Sequence, residues 1–218
     1  MIKKLPLVIV GAGGHAKVLA DLIAADGRFR VIGATDPAPK GPAAKMSGMT
    51  ILGGDGILPR LKKEGVKHAA VGVGSSPRTA PRARLRKTLI ELGYQTPALA
   101  HPRAVVSPGA HVSPGVQIMA GAIVNPGARI GAGCVINTGA IVEHDCELGP
   151  DVFLGPGAVI GGEVILGEGA FIGLGAKILP GIAVGAEAVV GAGAVVVEDV
   201  RAGAVVTGVP AREKRKRG

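Results

Sequence analysis

The sequence predicts a small α/β domain followed by a parallel β-helix built from six-residue repeats. Three observations predict it. From Val106 to Val196 every sixth residue is aliphatic, sixteen residues in sixteen slots. The slot two places before each of these holds only Ala, Cys, Val or Ile. Residues 5 to about 97 lack that beat and alternate short apolar runs with stretches of helical spacing.

In the N-terminal part, Leu5 to Val10 reads as a buried strand and Gly11-Ala12-Gly13-Gly14-His15 as a turn. Ala16 to Ala25 has helical spacing, and Arg30 to Ala34 reads as a second strand ending at Thr35-Asp36. Ala38 to Gly48, rich in Pro, Ala and Gly, reads as a loop. A helix is expected over Gly56 to Glu64, and a third parallel-type strand over Ala69 to Val73, followed by Gly74-Ser75-Ser76. Pro77 to Leu92 reads as a basic helix, and Leu99 to Arg103 leads into the repeats. The alternation is that of a small α/β sheet.

In the repeats, a large and a small inward residue per hexad fit the sides of a narrow prism. Gly or another turn-forming residue usually follows the aliphatic and supplies the turn. Three hexads close one coil of 18 residues, and coils stack at about 4.8 Å, so sixteen hexads make a prism about 25 Å long. A single coil cannot bury its own apolar face, which is why such repeats come in arrays. The composition agrees, with three Phe, one Tyr and no Trp in 218 residues. Cys134 and Cys146 both occupy the small inward slot on different sides of the prism, as core residues rather than a disulfide.

No apolar run is long enough to span a membrane, and Met1 to Val10 lacks a convincing cleavage site, so a cytoplasmic protein is expected. The net charge is +9, concentrated in Arg78, Arg82, Arg84, Arg86 and Lys87 and in the tail from Arg212 to Arg217. These charges read either as a solvated helix face with a loose tail or as a surface for a phosphate-bearing partner. No aromatic residues are interleaved for base stacking, so nucleic acid is not expected.

Gly11, Gly13 and Ala16 match the G-x-G-x-x-G/A phosphate turn, with Asp36 about twenty residues on. That makes the domain Rossmann-like. It has under 100 residues and lacks a second nucleotide-binding half, which argues against a dehydrogenase. The diphosphate of a nucleotide-sugar would use the same free N–H groups at a helix start.

Among the five histidines, only His144 falls well inside the array. It follows an inward aliphatic and should point outward near a corner, where Glu143 and Asp145 replace the usual glycines. Local departure from a strong rule is where function is expected. Eighteen residues on lies Gly162, which suggests free space beside the ring for a thioester arm. Asp145 could orient the ring; Glu163 stacks over Asp145 and either assists or repels it. From position alone the pair reads equally as a base with its partner and as a surface histidine beside an acid. Cys146 should face inward while His144 faces outward, so no metal site is expected. Phe153 and Phe171, one coil apart on an outer edge, read as a contact between copies or as a face for a pantetheine arm or adenine, with the contact favoured.

The uninterrupted hexads resemble the hexapeptide-repeat, left-handed β-helix acyltransferases. Together with the Gly11-Ala12-Gly13-Gly14-His15-Ala16-Lys17 turn and the closing Gly208-Val209-Pro210-Ala211-Arg212, the chain resembles the PglD/NeuD-type sugar acetyltransferases. The resemblance implies a left-handed β-helix, a homotrimer with active sites between neighbouring prisms, and acetyl-CoA as co-substrate without a metal. It implies transfer to the amino group of a nucleotide-linked 4-amino-deoxy sugar, or alternatively to a hydroxyl of sialic acid. A non-catalytic β-helix module is the reading from another class. The expected domains are 1–97 for the nucleotide-sugar and 98–218 for acetyl transfer. By resemblance, Gly13, Gly14, His15, Asp36, Gly72, Gly74 and Ser75 hold the nucleotide-sugar. His144 is the base with Asp145 its partner, and Asn137 contacts the substrates. The family's second histidine falls on Phe153, which leaves Phe153 as a candidate cofactor contact and the Gly162 N–H as a candidate oxyanion donor.

Overall fold

The computed structural model describes residues 4–37, 45–46, 49–75 and 77–214. The expected Ala38–Gly48 loop lies largely outside them, as do Met1 to Lys3, Ser76 and the last four tail residues. The N-terminal part runs β1 (Leu5–Val10), α1 (Gly14–Asp26), β2 (Phe29–Thr35), β3 (Lys45–Met46), β4 (Met49–Gly53), α2 (Leu58–Lys63), β5 (His68–Val71) and α3 (Ala80–Glu91). β4 was not expected. Its apolar run is short and bounded by glycines, a pattern that periodicity alone does not assign.

The sheet order is β3-β4-β2-β1-β5, with β1, β2, β4 and β5 parallel. Strand order therefore reverses between β1 and β5, and a crevice opens at their carboxyl ends. Both faces of β1 are covered. Leu7 and Ile9 join Ala16, Leu19 and Ile23 of α1 on one side, while Val8 and Val10 join Leu58, Leu61 and Leu89 on the other.

The repeats form a three-sided parallel prism. Its first rung is β6 (Leu99–Ala100), six residues before the beat read from the sequence. Sixteen two-residue strands follow, from β7 (Val105–Val106) to β22 (Val195–Val196), each pairing with strands 18 residues away. The inward aliphatics and the small slot make one continuous core from Val116 to Ala211. Cys134 and Cys146 are free and fully buried in it, and each thiol donates to a turn carbonyl, Gly149 O and Gly161 O, at 3.1 Å. The last coil is two residues short, since Val190 pairs with Val206.

The outward residues of the three faces differ, because each face takes every third hexad. One carries Leu99, Gln117, Val135, Phe153 and Phe171, and the α1 side of the N-terminal domain covers it. A second carries Val105, Ile123, Ile141, Val159, Lys177 and Val195. The third carries His111, Arg129, Glu147, Ile165 and Ala183.

Two expectations are corrected here. Phe153 is 7 % exposed and lies in the apolar cluster between the domains, its ring stacked on Phe171 at 5.3 Å. Its side chain is covered by its own chain and does not stand on an open outer edge. The basic helix α3 is likewise not simply a solvated face. Arg86 forms a bidentate pair with Asp151 of the prism at 2.9 and 2.6 Å. Arg82, 4 % exposed, donates to Val73 O at 2.7 Å, to Val71 O at 3.2 Å and to Gly133 O at 3.5 Å. Burial pushes its guanidinium down to about 10, against the pull of Asp151.

Candidate active site

His144 stands on the turn after the strand Ile141–Val142. In most hexads the next position is a left-handed glycine, such as Gly139 at φ 65° or Gly157 at φ 65°. Here that position is Asp145 at φ 56°. A non-glycine left-handed residue costs about 1–2 kcal/mol, less for Asp than for most. Its backbone N–H donates to Pro126 O at 3.1 Å, and its carboxylate lies over Gly127, where a Cβ would collide with it. Glu163, one coil on, is also left-handed, and its N–H donates to His144 O at 2.9 Å.

His144 Nδ1 and Asp145 Oδ2 are 2.9 Å apart. A carboxylate only accepts, so Nδ1 carries the hydrogen and Nε2 is left with a bare lone pair. The Asp145 hydrogen bond holds the ring's pKa above the ordinary 6.5. Desolvation opposes that hydrogen bond, and the charges of Asp145, Glu143 and Glu163 add to the upward shift. A Cβ on Gly162 would lie 2.5 Å from His144 Nε2 and 2.6 Å from Cε1, so the imidazole itself occupies the room that glycine leaves. Sequence spacing found this residue pair but not the reason for the glycine.

Asn137 stands at the other end of the same rung, on the turn before Ile141–Val142, where its Oδ1 accepts from Thr138 N at 2.8 Å. One chain therefore places Asn137 and His144 on two different corners.

Of the expected nucleotide residues, Gly13, Gly14 and His15 follow β1, and Gly72, Gly74 and Ser75 follow β5. Gly13 precedes α1 with extended backbone, and a Cβ on Gly13 or Gly14 would meet nothing within 4 Å. A ligand can thus approach the backbone closely there. Gly72 is glycine for packing, since a Cβ would press on Ile9 and on Gly11 O. Gly74 lies beside His15, and Ser75 Oγ is buried without a hydrogen-bond partner. Asp36 follows β2, and its N–H donates to Gly53 O at 2.9 Å. His15 Nε2 lies 2.8 Å from Gln117 Oε1 of the prism. Gln117 was missed because an outward polar residue in one hexad carries no signal until the covered face is known. Among the described residues no group of three or more His, Cys, Asp or Glu is placed to hold a metal.

Comparison with known proteins decides the family. Residues 6–86 match the PglD N-terminal domain model, and residues 127–162 match the bacterial transferase hexapeptide model. A histidine-to-alanine variant of GDP-perosamine N-acetyl transferase from Caulobacter crescentus, in complex with CoA and GDP-perosamine, is 37 % identical. The match covers 99 % of each chain at a TM-score of 0.91. The chain belongs to the PglD/NeuD-type sugar acetyltransferases. The acetyltransferase domain of PglB from Neisseria gonorrhoeae, in complex with acetyl coenzyme A, is 34 % identical over 97 % of this chain and 100 % of that one, at a TM-score of 0.89. WeeI from Acinetobacter baumannii shares the fold at 24 % identity and a TM-score of 0.79. Among proteins of curated function none matches the sequence. This sugar acetyltransferase therefore has a Rossmann-like domain followed by a left-handed parallel β-helix. It is an acyltransferase whose described residues include no helix long and apolar enough to cross a membrane.

Proposed function

We propose that this acetyltransferase moves the acetyl group of acetyl-CoA onto the amino group of a nucleotide-linked 4-amino-deoxy sugar, with His144 as general base. The observation that carries the reading is the seat of His144. Asp145 fixes the hydrogen on Nδ1, and Nε2 is bare above Gly162. The similar proteins with CoA, acetyl coenzyme A and GDP-perosamine support the donor and the acceptor class.

The amine nitrogen attacks the thioester carbonyl while His144 Nε2 takes its proton. The tetrahedral adduct collapses, the C–S bond breaks, and the imidazolium returns the proton to the coenzyme A thiolate. A thioester is activated, so no covalent enzyme intermediate is needed. A backbone N–H at the corner, such as that of Gly162, would steady the oxyanion. The crevice at β1 and β5 would hold the nucleotide, with Gly13 and Gly14 toward the diphosphate and Ser75 Oγ toward a polar group of the ligand.

His144 must be neutral to act, so kcat/KM rises with pH through its pKa, and that limb should lie above pH 6.5. Asp145→Asn removes the first cause of the upward shift and allows the wrong tautomer. The limb should move down towards 6.5 and the rate fall by about 10²-fold or more. Titration of the substrate amine is common to both enzymes, so the difference reports the ring. An unmoved limb in Asp145→Asn would contradict the assignment.

The protein is further proposed to act as a homotrimer. Of the three outer faces, the one with Val105, Ile123, Ile141, Val159, Lys177 and Val195 is apolar but for Lys177 and left uncovered by its own chain; Val105 is 63 % exposed. His144 stands on the corner opposite the face that the N-terminal domain covers, so a neighbouring copy is better placed to present the nucleotide crevice to it. Ile141→Asp puts a charge in the middle of that apolar face, and sedimentation should then show monomer. Persistent trimer in Ile141→Asp would move the interface elsewhere.

A further inference from the structure

Gln117 is 2 % exposed and sits between the two sides of the crevice. Its Nε2 donates to Val71 O, at the end of β5, at 2.9 Å, and its Oε1 lies 2.8 Å from His15 Nε2, at the start of α1. The two bonds decide each other's chemistry. A backbone carbonyl only accepts, so the amide nitrogen must face Val71 and the amide oxygen must face His15. An amide oxygen also only accepts, so His15 Nε2 must carry hydrogen. The ring is neutral, since burial pushes its pKa down to about 4 and the Arg82 charge adds to that, against the Gln117 bond. A neutral imidazole with hydrogen on Nε2 has a bare lone pair on Nδ1. Among the described residues that Nδ1 has no hydrogen-bond partner. Close by, Ser75 Oγ is buried and unpaired in the same crevice, next to Gly74, whose missing side chain faces the His15 Cβ.

We propose that Gln117 is a positioning residue for the substrate: it holds His15 as the Nε2–H tautomer, so that Nδ1 accepts a hydrogen bond from an O–H or N–H group of the bound nucleotide-linked sugar. The inference rests on the nucleotide-sugar reading above and sharpens it. A diphosphate at neutral pH has no hydrogen to donate, and its oxygens repel a bare lone pair. His15 is therefore turned to the nucleoside or to a sugar hydroxyl or amine, and not to the diphosphate, which is left to the backbone at Gly13 and Gly14. A cationic histidine in the same place would reverse that choice, and the uncharged Gln117 amide together with burial prevents it.

The test uses the full-length protein labelled with ¹⁵N-histidine, with ring signals read by long-range ¹⁵N–¹H correlation and the His15 signal assigned by its loss in His15→Gln. Without ligand at pH 7, His15 should show the Nε2–H tautomer. On adding a nucleoside-diphosphate amino sugar that the enzyme acetylates, Nδ1 should move upfield as its lone pair gains a hydrogen bond. His15→Gln keeps a donor for Gln117 but has no acceptor at the δ position. It should raise KM for the sugar nucleotide about tenfold, with KM for acetyl-CoA and the melting temperature unchanged. Gln117→Glu keeps an acceptor for His15 but repels Val71 O and favours the charged ring. It should raise the same KM and bring the His15 titration up towards or above 6.5. A purely structural contact between domains would lower the melting temperature and leave the KM values alone. An Nδ1–H or charged His15 in the wild type, or an unchanged sugar-nucleotide KM in His15→Gln, overturns the inference while turnover by the wild type keeps the function. Failure of the wild type to bind or turn over any nucleotide-linked amino sugar overturns both.

Discussion

Gly162→Ala lowers kcat/KM for acetyl transfer by about 10²-fold or more, although it adds one methyl group and removes no functional atom. The new Cβ would stand 2.5 Å from His144 Nε2, closer than any non-bonded approach allows, so the imidazole must swing away. Because the ring is the exposed end of a flexible side chain, it can move at little cost to the fold. Gly162 is not in the left-handed region, so alanine suits its backbone. The melting temperature should therefore stay close to that of the wild type while activity falls. The loss should approach that of His144→Ala, about 10²–10⁴-fold for removal of a general base. The two variants also share a mechanism, so combining them should add little to the loss from His144→Ala alone. Near-normal turnover in Gly162→Ala, in a protein of unchanged stability, would mean that the seated ring is not the working one.

Asp151→Ala should have the largest effect on stability, and a local one. Asp151 is 6 % exposed and holds Arg86 in two hydrogen bonds, with the buried Arg82 nearby. Removing the carboxylate leaves buried guanidinium charge uncompensated at about 3–5 kcal/mol. Asp151 is also left-handed, at φ 56°, so alanine adds strain that glycine does not. Asp151→Gly should then be about 1 kcal/mol less damaging than Asp151→Ala, which separates the charge from the backbone cost. The prism has its own continuous core, so the loss should fall on the docking of the N-terminal domain. Hydrogen exchange in α3 and β5 should speed up by about 10²-fold or more, with the central coils of the prism unaffected. Uniform loosening of the whole chain would contradict a role confined to the domain contact.

Much of the architecture was legible because the hexad states which residues point inward. Val106 to Val196 marked the rungs, and the small slot marked Cys134 and Cys146 as core. The structure adds β6 before that run and the short coil after it. What the period could not show was which outward face meets which surface. Phe153, Phe171 and Gln117 share a face only when outward residues are sorted by 18, and nothing local says that the N-terminal domain covers that face. For the same reason Arg82 and Arg86 read either as a solvated face or as a surface for a phosphate-bearing partner, although they pin α3 to the prism. His144 and Asp145 were legible as a break in the glycine rule. The role of Gly162 was not, because room beside a ring and room taken by the ring look alike in a sequence. The family resemblance supplied the expected nucleotide-sugar residues. Of those, Gly13 and Gly14 line open space, Gly72 serves packing, and His15 is engaged by Gln117.

The central claim is acetyl transfer to a nucleotide-linked amino sugar, and coenzyme A release from acetyl-CoA tests it most directly. The assay sets wild type beside His144→Ala on GDP-, UDP- and dTDP-linked 4-amino sugars, with free sialic acid as the hydroxyl acceptor. Turnover on a nucleotide-linked amino sugar, with mass spectrometry placing the acetyl group on nitrogen and His144→Ala slower by about 10²-fold or more, is the expected result. Turnover on sialic acid alone, or transfer unaffected by His144→Ala, would contradict it.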